Sequence, residues 1–285
     1  MATTRSRRLR RRRNPNKKRL DLNARTTNRH ELYEKAVQAP EAEIDIVTRI
    51  FKRRTGRAPL SLREDFAGTA NLCAAWVRSH RERTATGIDL DRPTLEWGRW
   101  HNLASLGEEA WRVTLRCQDV RDPVPGEFDL AIAFNYSYQV FKTRDDLRGY
   151  FQAVRSTLKR DGLLFLDAMG GWEARMPLEE ERREDGFWYV WDQDFYNPID
   201  SNLICHIHFR FDDGSEMRKA FTYDWRLWQL VELKELLLEA GFARADVYWE
   251  DEDEERNETG RYRIRRRVQN DPGWNCYVVA QNHGS

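Results

Sequence analysis

Residues 62–91 read LREDFAGTANLCAAWVRSHRERTATGIDLD. An apolar run ends in the carboxylate of Glu64. A tight turn of mostly small residues follows at once, Phe66-Ala67-Gly68-Thr69-Ala70. The helical spacing of Leu72, Cys73, Trp76 and Val77 then begins. A second strand-like run, 85–89, closes in Asp89. Strand, turn, helix and a second strand ending in an acid is the arrangement that holds an adenosine-type ligand at the carboxyl ends of parallel strands. Small residues let the backbone approach the ligand, and the helix N-terminus offers N–H groups. The terminal acid can accept two hydrogen bonds from ribose hydroxyls.

The pattern continues outward. Residues 60–64, 85–89, 112–118, 127–134 and 161–168 read as strands. Between them the spacing predicts helices over 69–79 and about 92–105, and a helix bearing Leu147, Tyr150, Phe151, Val154 and Leu158. A further helical stretch, from Glu31 to Arg54, precedes the first strand. Such alternation gives a parallel sheet with helices on both faces. Apolar runs without period-two alternation fit strands buried on both sides. The pattern changes at Gly170-Gly171. Residues 187–228 hold twelve of the 34 aromatics. HIHFRF (206–211) and EMRKAFTYDWRLW (216–228) alternate at period two around Asp213-Gly214, a hairpin signal. An antiparallel sheet inserted at about 172–228 is expected. A helix (Leu230, Leu233, Leu237, closed by Gly241) and a strand at 243–249 follow. Then come an acidic stretch (250–258), a basic stretch (261–267) and a last strand at 274–280. The acidic stretch reads best as a solvated loop facing the basic one, since its spacing is not that of an oxygen-ligand metal loop.

Composition bounds the function. The chain has 285 residues, 40% of them hydrophobic, enough for a sizeable core. The formal charge of +1 hides an asymmetry. Residues 1–20 carry ten Lys/Arg and no acid, so the remainder holds 38 basic against 47 acidic residues, a net of −9. Residues 1–22 form an expected disordered basic tail, which either contacts nucleic acid or merely solubilises. Residues 23–285 form the expected domain. No run has the ~20 apolar residues of a membrane span, and the N-terminus lacks the apolar core of a secretory signal. Four scattered cysteines, Cys73, Cys117, Cys205 and Cys276, offer neither a zinc motif nor a disulfide framework. A reducing, cytoplasmic setting fits them.

Three further positions sharpen the reading. Asp119 ends the third strand, where an acid can accept from an adenine amine. Asn135-Tyr136 end the fourth. The helix after the insert is followed by two terminal strands. Together these features resemble the class I S-adenosylmethionine-dependent methyltransferases, over about residues 40–170 and 221–281. LYEKAVQAPEAEID and NYSYQVFKTRDDLR resemble a bacterial subgroup of unassigned substrate.

The resemblance implies a Rossmann-like seven-stranded α/β sheet whose last strand is antiparallel, inserted between the fifth and sixth. It implies S-adenosylmethionine as cofactor and a small-molecule acceptor. By position, Glu64 matches the acid of the first strand, and Phe66, Gly68 and Ala70 take the three glycine positions of the family's loop, with Ala67 and Thr69 between them. Asp89, followed by Leu90, matches the ribose-binding acid. Asp119 with Val120 matches the adenine-contacting pair, and Asn135 with Tyr136 the wall of the reactive centre. Two of the three glycines are replaced. Phe66 cannot take a positive φ without strain, so an altered loop geometry is expected. The G-x-G-x-x-G of dehydrogenases is absent.

Methyl transfer from a sulfonium needs alignment more than acid–base chemistry. A base is needed only for a protonated acceptor. Tyr136, His206 and His208 are the candidate catalytic residues. The two histidines share one strand face, as a base or metal pair over the pocket or as packed strand histidines. No third metal ligand is evident, so no metal is expected. Asp167 is a further possible base. Tyr33, Tyr138, Trp172, Tyr223 and Arg226 are candidate substrate contacts, with Tyr138 equally readable as core and Arg226 equally as the partner of a nearby acid. Trp188, Trp191, Tyr196, Tyr223, Trp225 and Trp228 either cage a cationic or planar acceptor or pack the inserted sheet. A nucleic-acid methyltransferase using the tail and a non-catalytic cofactor-binding scaffold are the alternatives. Against the first, the N-P-P-Y motif of many base methyltransferases is missing.

Overall fold

The computed structural model describes residues 22–252 and 258–283. The basic tail lies outside the described residues except for Leu22, and so does part of the acidic stretch. Two helices come first, α1 (Arg29–Ala36) and α2 (Pro40–Thr55). Asn28 caps α1 by accepting the N–H of His30, and Pro40 opens α2 where its missing N–H is harmless.

The main body alternates β1 (Ser61–Asp65), α3 (Asn71–Arg78), β2 (Thr84–Asp89), α4 (Arg92–Gly98), β3 (Val113–Cys117) and β4 (Phe128–Ala133). Next come α5 (Arg144–Ser156) and β5 (Leu158–Gly170). A separate antiparallel sheet follows: β6 (Leu178–Arg183), β7 (Phe187–Asn197), β8 (Asn202–Phe211) and β9 (Glu216–Arg226). The chain returns through α6 (Leu230–Glu239), β10 (Arg244–Glu252), β11 (Glu258–Ile264) and β12 (Trp274–Gln281).

The large sheet has the order β11-β10-β12-β5-β4-β1-β2-β3. β1 to β5 pair in parallel, while β12 lies antiparallel between β5 and β10. The antiparallel last strand between the fifth and sixth is therefore as expected. The strand count is not: the sheet has eight strands, not seven. The basic stretch supplies the extra edge strand, β11, paired antiparallel to β10. Asp251 on β10 pairs with Arg263 and Arg265 across that edge, so acidic and basic segments face each other.

Alternate residues of the central strands face opposite helix layers. Leu130 and Ile132 pack with Val47, Phe51, Leu72 and Trp76 of α2 and α3. Ala131 and Ala133 pack with Leu147, Phe151 and Leu233 of α5 and α6. The helix expected over 92–105 continues past Gly98 through a π turn (99–103) into a 3-10 stretch (104–112), and its backbone breaks at Gly107, where φ is 57°. Gly98 is the tight point: a Cβ there would sit 2.1 Å from the carbonyl oxygen of Thr69. All four cysteines are free. Among the described residues no helix is long and apolar enough to cross a membrane.

Candidate active site

The loop between β1 and α3 is left-handed at all three family glycine positions: Phe66 at φ 56°, Gly68 at 53° and Ala70 at 54°. The altered geometry expected from Phe66 is thus overturned. The substituted residues adopt the strained conformation, at about 1–2 kcal/mol each. Their surroundings over-determine it. The Ala67 N–H donates to Ile88 O at 2.9 Å, and Ala70 N–H to Ala67 O at 2.8 Å. The Phe66 ring packs 5.8 Å from that of Tyr150 and 6.1 Å from that of Phe141.

Three carboxylates surround this loop. Buried Glu64 accepts the Cys73 N–H of α3 at 2.9 Å, and burial pushes its pKa up to about 8. Asp89 accepts one N–H on each oxygen, from Gly68 and from Asp91, both at 2.8 Å. Burial raises its pKa against those bonds. Each Asp89 oxygen keeps a lone pair, which suits a vicinal diol. A Cβ at Gly68 would meet nothing closer than Thr94 Cγ2 at 4.0 Å, so this wall is open to a ligand. Leu90 beside it is 68% exposed. Asp119 is different: Arg121 grips both its oxygens and holds its pKa down. An adenine amine would share those oxygens. Val120 is buried, and its carbonyl accepts Arg63 Nη2 at 2.6 Å.

The turn after β4 is also strained. Asn135 and Tyr136 both have positive φ, 56° and 57°. Asp167, at the end of β5, accepts the Asn135 N–H at 2.8 Å and the Tyr136 N–H at 2.9 Å. Its carboxylate holds that turn and is pushed up to about 7 by burial. The Tyr136 hydroxyl donates to Asn275 Oδ1 at 2.6 Å, and desolvation holds its phenol well above the usual value. The Tyr136 phenol is therefore protonated and neutral at neutral pH. Tyr138 is buried and donates to Asp167 O at 3.0 Å, which makes it a core residue.

The second sheet has two unlike faces. Register pairs Cys205 with Gln193 and Tyr223, and Leu203 with Trp225, so these side chains share one face. Tyr223 stacks on Trp225 at 4.4 Å, and Tyr136 meets Trp225 edge-on at 6.1 Å. This aromatic face therefore stands over the 135–136 turn. Tyr33 of α1 joins it, with a ring contact to Phe221 at 5.0 Å and a hydrogen bond to Tyr223.

His206 and His208 lie on the opposite face, where period two puts them. His206 is held by Thr222 and Asp194, and His208 by Asp192 and the Lys219 N–H. All four ring nitrogens are engaged away from Tyr136, which corrects the reading of these histidines as bases over the pocket. Arg226 follows the second of its two readings, pairing with a nearby acid. It donates to Glu232 and to Lys142 O and lies 3.7 Å over the Trp228 ring, so its guanidinium serves the fold. Trp188 is also on the outer face, under Arg183. Trp172 is 48% exposed and lines a cavity at the end of β5.

Two groups escaped the sequence reading. Glu34 of α1 accepts from Thr69 Oγ1 at 2.5 Å and from Asn102 Nδ2 at 2.7 Å, while Asn102 also donates to Thr69 O. Nothing local in the sequence marks this contact. Buried Arg63 bridges Asp65, Thr157 and the Val120 carbonyl, and Tyr150 donates to the other Asp65 oxygen. The signal was present: an arginine at the centre of a buried strand with an acid two residues on, on the same face.

No protein-family model and no curated protein matches the chain. Solved structures do. An S-adenosylmethionine-dependent methyltransferase from Clostridium acetobutylicum is 17% identical, with a TM-score of 0.67 over 90% of this chain and 98% of that one. An amino pentose methyltransferase from Micromonospora echinaspora, solved with S-adenosylmethionine bound, is 14% identical, with a TM-score of 0.63 over 89% and 95%. A glycopeptide N-methyltransferase complexed with S-adenosylmethionine is 20% identical, with a TM-score of 0.51 over 83% and 93%. The chain thus has the fold of the class I S-adenosylmethionine-dependent methyltransferases.

Proposed function

We propose that the protein transfers a methyl group from S-adenosylmethionine to a nitrogen or oxygen atom of a small molecule. The observation that carries this reading is the left-handed loop 66–70 beside Asp89, whose two oxygens are both half-used. S-adenosylmethionine, when bound, supplies an activated methyl group on a sulfonium. Asp89 would hold the ribose hydroxyls, and the chain near Asp119 and Val120 the adenine. The Asp89 carboxylate gives the crevice an acidic character that suits a cation. The Asn135-Tyr136 turn forms the wall beside the reacting centre, and Asp167 keeps that turn in place. The aromatic face of the second sheet closes the site from above and excludes water. Positioning of this kind is worth about 7–11 kcal/mol of the barrier. No protein nucleophile is needed.

Tritiated S-adenosylmethionine incubated with a panel of small amines, phenols and carboxylic acids tests the proposal. Label transferred to at least one acceptor, and lost in Asp89→Ala, is expected. Transfer only to RNA or DNA, falling steeply with salt, would move the acceptor to nucleic acid and give the basic tail its role.

A further inference from the structure

A cavity of about 230 Å³ opens at the end of β5, between the mouth of the second sheet and the loop before β12. Trp172, Trp228 and Trp274 line it, with the amides of Gln229 and Asn270. Among the described residues Arg175 is the one charged side chain in its lining, and no acid lines it. Arg175 is exposed, and its guanidinium has no hydrogen bond or ion pair among the described residues.

Its walls are closely packed. Gly170 lies against Trp274, where a Cβ would fall 2.2 Å from the indole. Gly171, at φ 102°, lies against the Pro272 carbonyl, where a Cβ would fall 2.1 Å away. The cavity also adjoins the candidate active site. Met169 lines it and packs in the cluster that holds Tyr136, Tyr223 and Trp225.

We propose that this cavity is a subsite for the acceptor, which carries an oxyanion on a ring. The half-exposed Trp172 indole takes the ring face, and the free guanidinium takes the carboxylate or phosphate in its two-pronged geometry. The volume admits one ring-sized group, so the rest of such an acceptor would extend past Met169 toward Tyr136. The proposal rests on the methyltransferase reading, which it deepens by naming the acceptor's chemistry.

Phenylacetate, phenyl phosphate and neutral phenylacetamide are suitable probes, followed by ligand-observed NMR on the full chain. S-adenosylhomocysteine is titrated in the same samples. At least one anion should bind saturably, and the amide at least about tenfold more weakly, as for loss of a hydrogen bond to a charged group. Which anion binds tells a carboxylate acceptor from a phosphorylated one. Arg175→Gln should remove the preference for the anion, while Trp172→Ala should weaken both anion and amide and keep the preference. Equal binding of anion and amide, an Arg175→Gln protein that still prefers the anion, or no anion binding at all would overturn the subsite. Unchanged S-adenosylhomocysteine affinity in Arg175→Gln shows that the cofactor site is intact. A wild-type protein that fails to bind S-adenosylhomocysteine would instead contradict the methyltransferase reading.

Discussion

Ala70 is fully buried with a left-handed backbone, whereas Ala74, one turn into α3, is equally buried in ordinary helix. Removing the methyl from each tests the loop. Ala74→Gly should lose about 1.5–2 kcal/mol, the sum of a buried methyl and glycine's helix penalty. Ala70→Gly loses a similar methyl but relieves about 1–2 kcal/mol of left-handed strain. Denaturant unfolding should therefore find Ala70→Gly the milder change by about 1 kcal/mol or more. Equal losses would mean that the loop is not strained. Glu64 gives a second test at this scale. Burial raises its folded pKa to about 8, above the ordinary value of 4.5, so the native state binds the extra proton. Stability from this group is then full below pH 4.5 and is lost as pH rises toward 8. Asp167, raised to about 7, acts in the same direction. Glu64→Gln should melt close to wild type near pH 5 and above it near pH 8.5, with the gap opening between. A gap that stays constant with pH would remove Glu64 as a buried titrating group.

At the scale of elements, the Arg63 cluster joins β1 to the chain at Val120 and to the end of α5 at Thr157. Arg63→Met leaves the Asp65 carboxylate buried without its partner, a loss of about 3–5 kcal/mol. Chemical denaturation would show it, and a loss under about 1 kcal/mol would mean that Asp65 has found other support. Element type was legible wherever period and length agreed. The five parallel strands, α3, α5 and the β8–β9 hairpin follow from apolar runs and the Asp213-Gly214 turn. β11 was not legible, because Glu258–Ile264 offers only Tyr262 and Ile264 as apolar residues; charge pairing to β10 makes it a strand.

For the whole molecule, the site is where three separate pieces meet: α1, the β1–α3 loop and the second sheet. Tyr33 and Glu34 on successive positions of α1 reach the sheet and the loop respectively. The carboxylates of this crevice could be read from strand ends alone, because their positions follow from the topology. The histidines and Arg226 could not be sorted that way. Period two put both histidines on one face, but only the packed sheet decides which face looks inward. The body's net charge of −9 sets it against its basic N-terminus. Deleting residues 1–21 should leave S-adenosylhomocysteine affinity within about twofold at 0.15 M salt, where the Debye length is about 8 Å. A larger change would tie the tail to the site.

The central claim is that Asp89 and the left-handed loop bind the adenosine half of the cofactor. Calorimetric titration of S-adenosylhomocysteine into the full chain and into Asp89→Ala tests it most directly. Micromolar binding by the wild type is expected, with about a hundredfold loss or more in Asp89→Ala, as for two hydrogen bonds to a charged group. The variant's melting curve should stay cooperative. Absence of binding by folded wild-type protein, or equal affinity in Asp89→Ala, would contradict the claim.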